Sequence, residues 1–253
     1  ACRAGRRPGD RIPKRVVRLW RNRGSASGQF SQPRNTLFAL VGPSGGGKTT
    51  IANLLARFWD VQKGSVLVRG VDIRRLPLGT LMDHISMVFQ NVYLFHDTIY
   101  NNIAMGRPDA SREEVIEAAK QARCYDFIMA LPDGFDTMVG EGGANLSGGE
   151  RQRISIARCI LKDAPIVILD EATANVDADN ESYIQEAISS LCRGKTLLVI
   201  AHRLNTIFHA DRILVVERGA IVQAGRHEEL AAQEGVYRRF VAARSGGMGW
   251  NRR

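Results

Sequence analysis

Gly42-Pro-Ser-Gly-Gly-Gly-Lys-Thr49 lies between a short apolar run, 38–41, and a stretch of helical periodicity, 48–59. It fits G-x-x-x-x-G-K-[ST], in the strand–loop–helix setting that gives this pattern its meaning. Glycines let successive backbone N–H groups curl round phosphate oxygens, and the start of the helix adds a favourable dipole. Gly42, Pro43, Ser44, Gly45, Gly46 and Gly47, followed by Thr50, are therefore read as a phosphate cradle. In this pattern Lys48 can reach the β- and γ-phosphates, and the Thr49 hydroxyl can ligate Mg²⁺.

Outward from this loop, short apolar runs alternate with helical patterns. Ile51, Leu54, Leu55 and Phe58 share one face over 48–59, and strands are expected at 65–69 and 85–89. Ser111 with Glu114 is a capping box opening a helix over 112–122. A continuous apolar strand at 165–170, a helix at 180–191 and another apolar strand at 196–201 follow. Residues 212–217 and 220–224 flank Arg218-Gly219 as a hairpin would. Apolar strands alternating with helices predict an α/β fold with a mainly parallel sheet covered on both faces. Residues 91–160 read as a helical subdomain inserted into this P-loop NTPase core, with a small antiparallel β element beside it.

The chain has 253 residues, 44% hydrophobic and 24% charged, which suits a folded protein and not a disordered one. No apolar run approaches the ~18–20 residues of a membrane helix. The net charge of +9 is unevenly placed. Residues 1–34 hold nine arginines and one lysine against Asp10 alone, so the remainder carries 25 basic and 25 acidic groups. A neutral body argues against a nucleic-acid partner. Cys2, Cys124, Cys159 and Cys192 show no metal-type spacing and read as reduced packing thiols.

Two further motifs carry chemistry. In Ile166-Val-Ile-Leu-Asp170-Glu171, Asp170 leaves the carboxyl end of a buried strand, where α/β sheets place their ligands. Asp170 can hold Mg²⁺ through water, and Glu171 can orient or deprotonate the attacking water. In Leu146-Ser-Gly-Gly-Glu150, Ser147 suits an N-cap, and Gly148 and Gly149 leave backbone open to an anion.

With these motifs in this order, residues 35–245 resemble the nucleotide-binding domain of ABC transporters. Gln90 in Met87-Val-Phe-Gln90 is similar to the Q-loop, Asp177 in Ala174-Asn-Val-Asp177 to the D-loop, and His202 in Ala201-His-Arg203 to the switch histidine. Leu94-Phe-x-Asp97-Thr-Ile-x-x-Asn-Ile103 and Gly140-Glu-Gly-Gly143 resemble the exporter type, whose ATP-binding domain is fused to a transmembrane domain. The resemblance implies ATP and Mg²⁺ as ligands, with Glu171, His202 and Gln90 catalytic and Thr49, Gln90 and Asp170 at the metal. It also implies that Ser147, Gly148, Gly149, Glu150 and Asp177 contact the nucleotide of a second nucleotide-binding domain, in a homo- or heterodimer. The partners implied are that second domain and a transmembrane domain absent from this chain, at the cytoplasmic face of the membrane.

Residues 1–34 depart from the family: they lack its two opening strands and the aromatic that stacks on adenine, and are expected to be poorly ordered; residues 246–253 are read as a C-terminal tail. Codons exist for residues 16–30 that, read one nucleotide later, give Ser-Phe-Gly-Tyr-Gly-Glu-Ile-Glu-Val-Leu-Arg-Gln-Val-Ser-Phe. That string resembles the opening strands, so residues 1–30 are read as encoded out of frame. Three other readings compete. A dimerisation module with little hydrolysis would follow from the missing strands. A chromosome-maintenance ATPase needs a long coiled coil between the motifs, and no sustained heptads occur. A nucleic-acid binder would rest on the basic segment alone.

Overall fold

The computed structural model describes residues 17–19, 36–61, 64–68, 70–170, 178–201 and 204–245. Among them, the strands are β1 (Val17–Leu19), β2 (Leu37–Val41), β3 (Val66–Val68), β4 (Val71–Asp72), β5 (Ile85–Val88), β6 (Ile166–Asp170), β7 (Thr196–Ile200), β8 (Arg212–Glu217) and β9 (Ala220–Gly225). The helices are α1 (Lys48–Leu55), α2 (Leu78–Asp83), α3 (Ile99–Ala104), α4 (Arg112–Gln121), α5 (Tyr125–Met129), α6 (Gly148–Lys162), α7 (Ala178–Cys192), α8 (Leu204–Phe208), α9 (His227–Ala231) and α10 (Val236–Ser245).

The main sheet runs β5-β6-β7-β2-β8-β9, parallel except for β9, which returns from β8 as a hairpin. Its turn, Arg218-Gly219, holds both residues at positive φ. Period-two alternation divides the core. On β2, Phe38 and Leu40 pack with Ala52 and Leu55 of α1, whereas Ala39 and Val41 pack with Ile207, Tyr237 and Phe240 on the other side. A further cluster joins Val88, Val167 and Leu169 to Ile99, Ile103, Ile154 and Ile184, and so ties the helices of 91–160 to the sheet.

β5 is the outermost strand on its side. Its neighbour β6 takes the His84 carbonyl, which turns the carbonyls of Ile85 and Met87 outward. Side chains of α6 meet them: Lys162 Nζ donates to Ile85 O at 2.9 Å and Cys159 Sγ to Met87 O at 3.4 Å. α6 therefore runs antiparallel to β5, with its first turn at the carboxyl end of the sheet. Burial pushes the Cys159 thiol up to about 11 and the Cys124 thiol up to about 12, so both are protonated packing groups.

Two differences from the sequence expectation have physical causes. α1 stops at Leu55, short of the 48–59 expected, because Arg57 turns to φ 56° and donates to the carbonyls of Ile73 and Leu76. Phe58 is thereby removed from the helical face and stands exposed, stacked on Phe89. Second, Val17–Leu19 forms a strand inside the segment expected to have none. It pairs antiparallel with β3, which itself pairs with β4, in a small second sheet. Two β-branched valines precede Leu19, and that local propensity survives an arginine-rich setting. The other residues of 1–35, and 246–253, lie outside the described residues.

Candidate functional site

The loop from β2 to α1 is shaped by close backbone approach. Gly42 has φ 141°, and a Cβ there would stand 2.1 Å from the Val216 carbonyl of β8. A Cβ on Gly46 would stand 2.9 Å from Pro43 O and 3.0 Å from Val216 O, and Gly219 N–H donates to Gly46 O at 2.8 Å. The β8–β9 turn thus braces the loop from behind, which the motif alone did not reveal. Its signal was the Arg218-Gly219 pair.

Lys48 is only 6% exposed, and its ammonium donates to Gly42 O at 3.0 Å and Pro43 O at 2.9 Å. The chain curls over its own lysine, which holds the loop closed and keeps the charge at its centre. Gly47, the residue before α1, sits at φ 103° and offers no side chain to cap the helix. The first turn carries no acidic residue, and Thr49 and Thr50 are exposed. An uncapped first turn leaves backbone N–H groups for an anion. These residues fit a triphosphate, and the Thr49 hydroxyl fits a hard cation beside it.

The sheet gathers other expected residues at the same edge. Asp170 ends β6 opposite Ile200 of β7, whose neighbour is Leu40 of β2, and Leu169 is opposite Val88 of β5. Gln90 lies two residues beyond Val88 and is exposed, and Gly42 lies two beyond Leu40. Asp170, Gln90 and the phosphate loop therefore share the carboxyl end of the parallel strands, where α/β sheets bind ligands. Glu171, Asp177 and His202 lie outside the described residues.

Ser147, Gly148, Gly149 and Glu150 open α6. Ser147 Oγ accepts from the Glu150 N–H at 3.2 Å, and the Glu150 carboxylate accepts from the Ser147 N–H at 2.7 Å. This capping box closes the helix on itself. Arg151 reinforces the approach by donating to Leu146 O at 2.6 Å and Gly143 O at 3.3 Å. Although α6 begins at the carboxyl end of the sheet, it lies beside β5. Three inter-strand steps of about 4.8 Å separate that strand from β2 and its loop. The fold does not bring Ser147 to the phosphate loop of its own chain.

A phosphate loop braced on a parallel sheet, with an acidic strand end beside it, defines a P-loop nucleotide-binding protein. The family model described as "ABC transporter" matches residues 27–174, more than half of the chain, and the chain belongs to that family. The "ATP-dependent lipid A-core flippase" of Legionella pneumophila (strain Paris) is 56% identical over 202 residues, 80% of this chain and 34% of that protein. The protein of the same name from Desulfotalea psychrophila (strain LSv54 / DSM 12343) is 54% identical over 205 residues, 81% of this chain and 36% of that protein. Among solved structures, "Structure of a bacterial Atm1-family ABC exporter with ATP bound" superposes with a TM-score of 0.82 and 39% identity, over 94% of this chain and 43% of that one. This chain spans about a third of the length of the curated relatives it matches, and the part it matches is their ATP-binding part. No helix among the described residues is long and apolar enough to cross a membrane.

Proposed function

We propose that the chain binds Mg-ATP on residues 42–50 and hydrolyses it as one of two like domains that power an exporter-type transporter. The observation that carries this reading is the uncapped first turn of α1, with the Lys48 ammonium held at the centre of the loop. Lys48 and the loop amides hold the β- and γ-phosphates in place, which is positioning and charge stabilisation, the main requirement of phosphoryl transfer. Thr49, Gln90 and Asp170 would hold Mg²⁺, which would supply neutralisation of the charge on the phosphate oxygens. Glu171 takes the proton of the attacking water, and His202 senses the γ-phosphate.

Ser147, Gly148, Gly149 and Asp177 serve the nucleotide of the second domain, and Glu150 serves it by holding the Ser147 end in its capping box. The lateral distance between α6 and the phosphate loop supports this reading, because one chain cannot apply both ends to one triphosphate. Two aromatic pairs, Phe58 with Phe89 and Tyr93 with Phe95, are exposed on either side of Gln90 and support docking of a transmembrane domain there. Such docking puts the domain at the cytoplasmic face of the membrane. Steady-state hydrolysis by Glu171→Gln tests the assignment. ATP binding is retained and turnover falls about 10²- to 10⁴-fold, the worth of a positioned base. Turnover at the unsubstituted rate removes Glu171 from the mechanism.

A further inference from the structure

The segment after Gln90 is held by one buried carboxamide. Asn102 of α3 is 0% exposed. Its Oδ1 accepts from Phe95 N–H at 2.9 Å, and its Nδ2 donates to Phe95 O and Thr98 O, each at 3.0 Å. The same Oδ1 accepts from Arg158 Nη2 of α6 at 3.2 Å, and the Asn102 carbonyl accepts from Arg158 Nε at 2.8 Å. Burial lowers the Arg158 pKa, and among the described residues no carboxylate lies within ion-pair distance of it. A cation taken out of water without a counter-charge is costly unless its donors are well used. Here they are aimed at Asn102. Backbone packs on backbone at the same spot, since a Cβ on Gly106 would stand 2.2 Å from Arg158 O.

A second strand of contact runs beside the first. Val139 N–H donates to Asp97 O at 2.9 Å and Ile99 N–H to Thr137 O at 3.0 Å. Residues 137–139 lead directly to 140–146 and the start of α6. The loop carrying Tyr93 and Phe95 and the helix that begins at Ser147 are thus knitted into one body.

We propose that Asn102 and Arg158 are positioning residues that couple the two nucleotide sites of the dimer. This rests on the proposed function. Gln90 faces the nucleotide of its own chain and Ser147 that of the partner, and the Asn102–Arg158 link fixes one relative to the other. Occupancy of the first site then biases closure on the second. Coupling of this kind is worth about 5- to 150-fold in affinity.

The test is ATP titration of hydrolysis and of dimerisation by the full chain, with equilibrium ATP binding measured separately. Arg158→Met cuts the link on the helix side, and Asn102→Ala cuts it on the loop side. Because Asn102→Ala also strips the core of bonded polar groups, Arg158→Lys is the further variant: it keeps the cation on a single donor nitrogen but not the fork. The unsubstituted chain gives a Hill coefficient approaching about 2, and Arg158→Met brings it to about 1 with ATP binding by the monomer unchanged. Arg158→Lys recovers part of the cooperativity. Combining Asn102→Ala with Arg158→Met removes no more than either change alone. A merely structural role lowers the melting temperature and leaves the Hill coefficient where it was, which overturns the inference. Absence of any ATP-dependent dimer in the unsubstituted chain overturns the reading of the site, and the inference with it. Cooperativity that survives both single variants overturns the inference alone.

Discussion

The N-termini of α1 and α6 face the same end of the sheet and are finished in opposite ways. α1 begins after a glycine at φ 103°, with no side-chain cap and no acidic residue in its first turn. α6 begins inside a reciprocal capping box, with the Glu150 carboxylate on the Ser147 N–H. One end leaves its donors to a ligand, and the other spends part of its field on its own side chain. The difference assigns unequal shares of the proposed ATP sandwich. In that proposal the α1 end would keep the nucleotide, whereas the α6 end would add a contact weak enough to be given up.

Changes at the α1 end give the largest expected effects. Lys48→Ala removes a charge-assisted donor, worth about 1.5–3 kcal/mol per hydrogen bond, so ATP affinity falls by about tenfold or more in equilibrium titration. Unchanged affinity would break the comparison outright, since α1 would then not be the phosphate end. Gly42→Ala places a methyl 2.1 Å from Val216 O at φ 141°. Backbone strain of this kind costs about 1–3 kcal/mol, and the clash adds to it. Thermal melting shows a lower midpoint, with ATP affinity lost alongside.

At the α6 end the effects are smaller. Ser147→Ala loses the cap and destabilises the helix by about 1 kcal/mol, measurable in denaturant. It also weakens ATP-dependent dimerisation while ATP binding by the monomer stays the same. Glu150→Gln sharpens the contrast most cleanly, because glutamine can keep the capping box while the charge is removed. An anion near the first turn is then less opposed, and the ATP concentration at half-dimerisation drops about two- to fivefold, the scale of a single charge at a helix end. Light scattering that shows weaker dimerisation in this variant would mean that the carboxylate assists the sandwich.

Much of this could be read in the residues because local chemistry carries it. The phosphate loop announces itself through glycines that side chains cannot replace. The strands Leu37–Val41, Ile85–Val88 and Ile166–Asp170 follow from apolar runs of buried-strand length, and β8–β9 from Arg218-Gly219. The capping box of Ser147 and Glu150 has the same S-x-x-E spacing as that of Ser111 and Glu114, so its signal too is present in the sequence. What could not be read is long-range. The contacts of Asn102 with Arg158 cross 56 positions, and neither residue has a periodicity that announces the other. The pattern containing Asn102 was visible as a string, but its reason, a carboxamide serving the loop behind it and the helix in front, appears only in three dimensions. The premature end of α1 is similar, since carbonyls of Ile73 and Leu76 must be folded into place before Arg57 can reach them.

The outer rim of β5 bears on the company the domain can keep. A bare strand edge is an indiscriminate template, open to any extended chain and prone to aggregation. With the Ile85 and Met87 carbonyls engaged by Lys162 and Cys159, the sheet offers no ready template for growth on that side. On that rim, encounters between copies are left to helix ends and loops, which can separate without tearing a backbone ladder. For a domain proposed to meet and leave its twin with each nucleotide, a blunted rim keeps a brief handshake from becoming a permanent fibre.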